Sequence, residues 1–223
     1  LKDYCWIGDV REGIKWALNK ERMRVENRGG PEVHAGEISP ELDRREVDGS
    51  IRLDLGCGDK REKGWIGVDV RNDGGRIQPD IIADISKPLP LPDDYADEMR
   101  AIHIIEHFWP WDVAEILKEW FRVLKPGGML AIECPSIDKV LYLMQVPECP
   151  PSMTWWALYG DPRHKSPEMM HKWCYGKAQI FKLLAEAGFT NLRSAPVRFH
   201  HPIRDMRVEA FKPFPQQRIV VPE

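Results

Sequence analysis

No stretch of this chain is apolar over the roughly 18 residues that a membrane-crossing helix requires. None has the basic, apolar and small-residue order of a leader peptide. A cytoplasmic protein without a membrane partner is therefore expected. Cysteine is sparse: the five residues Cys5, Cys57, Cys134, Cys149 and Cys174 are odd in number and include no C-x-x-C pair. Their spacing excludes a disulfide framework or a zinc knuckle and suits reduced intracellular thiols. An excess of one charge is also missing. The 32 Lys and Arg against 35 Asp and Glu give a net charge of −3, and no long basic stripe is visible. The partner expected is thus a small molecule or glycan rather than nucleic acid. Nothing in the composition indicates an oligomeric state.

What is present divides unevenly. Residues 1–48 read as a helical and linker extension. "DVREGIKWALNKERMRVEN" places Val10, Ile14, Ala17 and Leu18 on one helical face, and a Gly-, Pro- and charge-rich stretch follows. Residues 49–213 read as the main domain, with an insertion near 147–176, and 214–223 as a tail. Short apolar runs at 51–56, 65–70, 80–85, 98–104 and 129–135 predict buried strands. Val113, Ile116, Leu117, Trp120, Phe121 and Leu124 repeat at helical spacing, with Asp112 placed to cap the start. A second helix is predicted over 176–189, and two extended segments over about 190–199 and 205–212. Strands alternating with helices predict an α/β domain built on a mainly parallel sheet.

In such sheets ligands bind beyond the carboxyl ends of the strands. "LDLGCGD" puts Gly56 and Gly58 at that edge, and Asp69 ends the next strand, placed to accept hydrogen bonds from ribose hydroxyls. The dinucleotide fingerprint is not met. Its third glycine is replaced by Arg61, and Asp69 follows Gly56 by 13 residues where about 20 are expected. Residues 57–64 are too few for a full crossover helix. A ribose-bearing ligand without a pyrophosphate fits better.

Here the sequence resembles the class I S-adenosylmethionine-dependent methyltransferases, close to a branch of small enzymes in the type 11 group. "LDLGCGDKREKGWIGVDV" is similar to their first motif and ribose-binding acid. "ADISKPLPLPDDYADEMRAIHIIEHF" is similar to the adenine-binding acid, the fourth strand and the loop after it. "FRVLKPGGMLAIECP" is similar to the helix, turn and fifth strand that follow. The resemblance is strong over about 50–135, weaker to 212 and absent over 1–48. It implies a Rossmann-like fold with an antiparallel C-terminal strand and a shortened first crossover helix. It implies S-adenosylmethionine as cofactor and S-adenosylhomocysteine as product. Asp54, Gly56 and Gly58 would lie at the methionine and ribose part, Asp69 and Val70 at the ribose, and Asp84 and Ile85 at the adenine. His103 would lie near the methionine end. The chain departs from the commoner pattern at Asp59, often a glycine or small residue there.

"HIIEHFWPWD" (103–112) carries His103, Glu106 and His107 as H-x-x-E-H. On one helix this is a zinc-peptidase signature. Here it follows a strand, and Pro110 closes any helix soon after, so no tight zinc site is expected on it. The stretch also resembles the E-x-x-E-H of some small-RNA and ubiquinone-pathway O-methyltransferases, which implies as an alternative a divalent metal with His164 and His171 as further ligands; His103 stands here in place of the first glutamate. In the methyltransferase reading His107 is the candidate general base, because an imidazole titrates near neutrality, and Glu106 would orient it or bind substrate. "WWALYGDPRHKSPEMMHKWCYG" (155–176) is dense in aromatic and basic groups. It is expected to form a lid over the carboxyl edge, with Tyr159, His164, His171 and Tyr175 as substrate-binding candidates. The reaction expected is methyl transfer to oxygen or nitrogen of a small-molecule or glycan acceptor. A metal-dependent hydrolase on His103, Glu106 and His107, and a non-catalytic adenosyl-binding scaffold, are the alternatives.

Overall fold

The computed structural model describes residues 49–58, 62–70 and 79–215. The helix expected within 1–48 and Arg61 lie outside them. Seven strands form one sheet: β1 (Arg52–Leu55), β2 (Ile66–Asp69), β3 (Ile81–Ile82), β4 (Ala96–Ile102), β5 (Leu124–Pro135), β6 (Thr190–Ala195) and β7 (Asp205–Phe211). Their order is β3-β2-β1-β4-β5-β7-β6. β3, β2, β1, β4 and β5 pair in parallel, while β7 is antiparallel to both neighbours. The architecture is the Rossmann-like one expected from the sequence, with the order reversing at β1, between β2 and β4. That reversal is where such sheets open a crevice for a ligand.

Each strand forms where apolar residues crowd into a short run. Leu53, Leu55, Val68, Met99, Ala101, Leu130 and Ile132 are buried, as a sheet covered on both faces demands. β1 and β2 pair in parallel although only residues 56–65 join them, and no helix occurs among the described residues of that connection. Helix α1 (Val113–Val123) buries Val113, Ile116, Leu117, Trp120 and Val123 and packs against α4 (Lys177–Glu186). The Trp120 indole is fully buried and donates its N–H to the Ile85 carbonyl at 3.1 Å, so the largest core side chain leaves no unmet donor.

Three local expectations need correction. Asp112 does not cap α1 with its side chain; its backbone is already helical and continues a turn begun at Trp109. The helix stops at Val123, and the chain turns extended at Leu124, so β5 starts five residues before the run at 129. Residues 137–143 form a helix, α2, that the sequence reading left out; it buries only Val140 and Leu143 and so carries little periodic signal. The segment after it holds the short helix α3 (Trp155–Tyr159) and several 3-10 turns.

Candidate active site

The glycine turn follows β1 directly. Gly56 and Gly58 both have left-handed φ, +68° and +55°, which a side chain resists. They differ in what surrounds them. A β-carbon on Gly56 would fall 2.0 Å from Ile104 Cδ1, whereas one on Gly58 would meet nothing within 4 Å. Gly56 therefore makes room for Ile104, and Gly58 is the open position. The Gly58 N–H donates to Asp69 Oδ2 at 2.9 Å, tying the turn to the end of β2. Beside this turn Val70 and Ile82 are 63% and 55% exposed, an apolar rim at the same edge. Ile85 is buried nearby, with Cδ1 3.4 Å from the same Gly56 position. Exposed Asp84 accepts from the N–H and hydroxyl of Ser86 at 2.9 and 2.6 Å.

Asp54 takes a different part from the one expected. It lies 2.6 Å from the buried Arg100 guanidinium of β4, which also pairs with Glu62 and sits between the rings of Trp65 and Phe199 at 4.1 and 4.8 Å. Its Oδ2 is thus engaged inside the protein. Arg100 was not apparent as a partner because charge within an apolar strand carries no label of what it meets.

The chain after β4 is shaped by His103, whose φ of +55° rules out a helix running through the H-x-x-E-H stretch. A single 3-10 turn, Ile105–His107, follows. The break sends the two histidines to different surroundings. His103 Nε2 donates to Asp205 Oδ2 at 3.0 Å, Nδ1 lies 2.9 Å from Glu106 Oε1, and the His200 ring lies 4.1 Å away. Burial alone would disfavour the imidazolium, but Glu106 and Asp205 outweigh it and push His103 up to about 9. Asp205 is held well below the usual carboxylate range: burial opposes this, but Arg204 and His103 prevail. His103 is thereby turned toward Asp205 at the start of β7 as a charged anchor.

Glu106 is fully buried, so it binds no substrate at the surface. Burial works against its charge, yet His103, His107 and His171 keep it below the usual range. Its carbonyl accepts the N–H of Lys172 at 2.8 Å and of Trp173 at 3.2 Å. His107 Nδ1 meets the Met170 carbonyl at 3.2 Å, and its ring lies edge-on to His171 at 4.9 Å. His171 Nδ1 meets the Ala157 carbonyl at 2.9 Å; burial favours its neutral form. The 155–176 segment is therefore packed against the 103–111 loop, and His171 joins Glu106 and His107.

The other lid candidates fare differently. Tyr159 is 56% exposed and stacks on Trp155. His164 sits exposed in the 3-10 turn Pro162–His164, and no described contact joins it to the cluster. Tyr175 is fully buried; it bridges to Ser136 in parallel, and its carbonyl accepts from Ile137. Its ring belongs to the core rather than to an acceptor pocket. Sequence reasoning also missed Glu133, a buried β5 carboxylate that accepts the backbone N–H groups of Arg198, Phe199 and His200 at 2.9, 2.9 and 3.2 Å. It fixes the loop that carries His200, and only the fold brings these residues together.

Comparison with known proteins gives this geometry a context. Residues 53–132 match the family model described as a methyltransferase domain. A probable S-adenosylmethionine-dependent methyltransferase of Mycolicibacterium smegmatis is 44% identical over 48 residues, 22% of this chain and 18% of that protein. The chain thus matches under a fifth of that relative's length. Among solved structures, a SAM-dependent methyltransferase from Methanosarcina mazei superposes with a TM-score of 0.51 at 18% identity, covering 74% of this chain and 93% of that one. One from Archaeoglobus fulgidus gives 0.50 at 18% identity, covering 74% and 87%. Residues 53–132 thus match a methyltransferase domain, and the described residues share the fold of these solved SAM-dependent methyltransferases.

Proposed function

We propose that this chain transfers a methyl group from S-adenosylmethionine to oxygen or nitrogen of a small-molecule or glycan acceptor. The observation that carries the reading is the Gly58–Asp69 pair. An open glycine face, a carboxylate held at 2.9 Å by the turn's own N–H, and the exposed rim of Val70 and Ile82 form a cradle for a nucleoside. Asp69 would accept from the ribose diol, Asp84 from the adenine amino group, and Val70 with Ile85 would line the ring. When bound, the cofactor supplies an electrophilic methyl on sulfur.

The protein's own part is alignment and proton removal. A carbonyl only accepts, so the Met170 contact assigns the proton of His107 to Nδ1 and leaves Nε2 able to take one. The packed segment 155–176 supports a role as a wall of the acceptor pocket. A cytoplasmic setting is part of this proposal, in keeping with described cysteines that form no disulfide; among the described residues no helix is long and apolar enough to cross a membrane.

The acceptor class is tested by incubating the protein with S-[methyl-³H]adenosylmethionine and fractionated cell extract. Label is expected in the small-molecule or glycan fraction. Label confined to nucleic acid or protein would overturn the acceptor assignment.

A further inference from the structure

We infer that the acceptor is an oligosaccharide, and that the stacked indoles of Trp109 and Trp111 form a platform for one of its pyranose rings. The inference narrows the methyl-transfer reading and rests on it. Exposure gives the first reason. The most exposed tryptophans described are Trp109, Trp111, Trp155 and Trp173, at 44, 69, 56 and 43%. All four lie in the loop after β4 or in the 155–176 segment packed against it. An indole left in water forgoes the burial its large apolar area would gain, so a group of them at one place marks a surface that meets a partner.

The geometry is that of a preset platform. The Trp109 and Trp111 rings are parallel to within 8°, with centroids 4.8 Å apart. Pro110 between them has a fixed φ, so the Trp-Pro-Trp turn needs little ordering on binding. Trp109 is also held by the Lys172 ammonium, 5.6 Å from its centroid. Lys172 is itself positioned, because its backbone N–H donates to the Glu106 carbonyl at 2.8 Å. Trp111 is the outer ring and offers the open face. The platform begins two residues after His107, the proposed base, so a ring resting on it belongs to the same acceptor.

A second stacked pair, Trp155 and Tyr159 on α3, has ring planes 11° apart and centroids 6.3 Å apart. The two pairs are joined through adjacent residues: the His171 N–H donates to the Tyr159 carbonyl at 3.3 Å, next to the Lys172 contact with Glu106. His107 meets the same stretch at the Met170 carbonyl. Two open aromatic pairs tied to one stretch beside the base suit an acceptor longer than a single ring.

The surroundings select a sugar over other apolar occupants. A pyranose has a face of C–H bonds and an edge of hydroxyls. The C–H face is attracted to the negative face of an indole, and the hydroxyls call for both donors and acceptors nearby. Exposed Asp112 beside Trp111 and exposed Lys172 over Trp109 supply one of each. A wholly aromatic acceptor calls for an enclosed slot that covers both of its faces, whereas Trp111 covers one. A membrane surface is disfavoured, because Asp112 and the exposed Glu115 follow Trp111 closely and carry the same charge as anionic head groups.

The test is binding of the full chain to an array of neutral, acidic and amino-sugar oligosaccharides, followed by titration of the best binder against tryptophan fluorescence. Binding to at least one oligosaccharide is expected, with the emission quenched or shifted. Trp111→Ala should weaken it about tenfold or more, the scale of losing one aromatic contact face. Trp111→Tyr, which keeps a flat ring, should recover most of that loss. Phe214→Ala should change nothing, since Phe214 is 74% exposed but lies against Gly127 at the amino end of β5. Equal melting temperatures for these proteins would show that the core is untouched. An array with no bound sugar would overturn the inference, as would sugar binding that Trp111→Ala leaves unchanged. Trp111-dependent binding to phosphatidylcholine–phosphatidylglycerol vesicles in place of sugar would assign the platform to a membrane and overturn it too. S-adenosylhomocysteine titrated into the same preparation separates the two readings. If it binds and no sugar does, the oligosaccharide inference fails alone; if sugar binds and it does not, the platform stands and the methyl-transfer reading fails.

Discussion

His103 and Asp205, 102 residues apart in sequence, meet at 3.0 Å and join the end of β4 to the start of β7. The contact makes folding stability depend on pH with a definite sign. The folded His103 is raised from 6.5 to about 9, so its contribution is full below pH 6.5 and is lost as pH rises through 9. Asp205 is shifted down, so its share is present above the ordinary carboxylate range and is lost as pH falls below it. Between pH 6.5 and 9 the loss should be on the order of 3 kcal/mol. Urea denaturation of metal-free protein at those two pH values measures it. His103→Gln should flatten the difference, and parallel profiles for the two proteins would contradict the ion pair.

Arg100 and Asp54 form another buried charge pair, at 2.6 Å. Arg100→Leu should destabilise the domain by about 3–5 kcal/mol, because it strands the Asp54 carboxylate inside the sheet. The double variant Asp54→Leu/Arg100→Leu should recover much of that loss. If the single change cost under 1 kcal/mol in denaturation, the pair would not be holding β1 to β4.

Gly56 tests the reading that the turn admits Ile104 rather than ligand. Gly56→Ala should cost about 1–2 kcal/mol from its left-handed backbone alone. The clash at 2.0 Å with Ile104 Cδ1 adds to it. Adding Ile104→Ala should relieve the clash and leave the backbone part. Equal melting temperatures for the single variant and the wild type would show that the turn adopts another conformation.

Part of this was legible along the chain. The strands and α1 are local: Leu53, Leu55 and Val68 crowd into short runs, and Val113, Ile116, Leu117 and Trp120 recur at helical spacing, so burial follows from the order of residues. The glycine turn and Asp69 were legible for the same reason. The partners of the charged residues were not. Nothing near His103 announces Asp205, and nothing near Glu133 announces the backbone of 198–200, because a hydrogen bond across a sheet leaves no periodicity. Tyr175 misled for a related reason: an aromatic in a polar segment reads the same whether its ring turns to a pocket or to the core. His171 and His107 were both legible as candidates, but their anchoring through Met170 and Ala157 depends on how 155–176 folds back.

Asp69 links the glycine turn to the proposed ribose site. Asp69→Ala should weaken S-adenosylhomocysteine by about 10- to 150-fold, the equivalent of ~1.5–3 kcal/mol for a hydrogen bond to a charged group. Asp69→Asn, which keeps an acceptor for the Gly58 N–H, should lose less. Equal affinities across the three proteins would remove Asp69 from the cofactor site.

The most direct measurement is equilibrium binding of S-adenosylmethionine, S-adenosylhomocysteine and NAD to the intact chain by calorimetry. One equivalent of each adenosyl compound should bind at micromolar concentration, and NAD should not bind. Failure of both adenosyl compounds to bind, or binding of NAD in their place, would contradict a methyl-donor site built on Gly58 and Asp69.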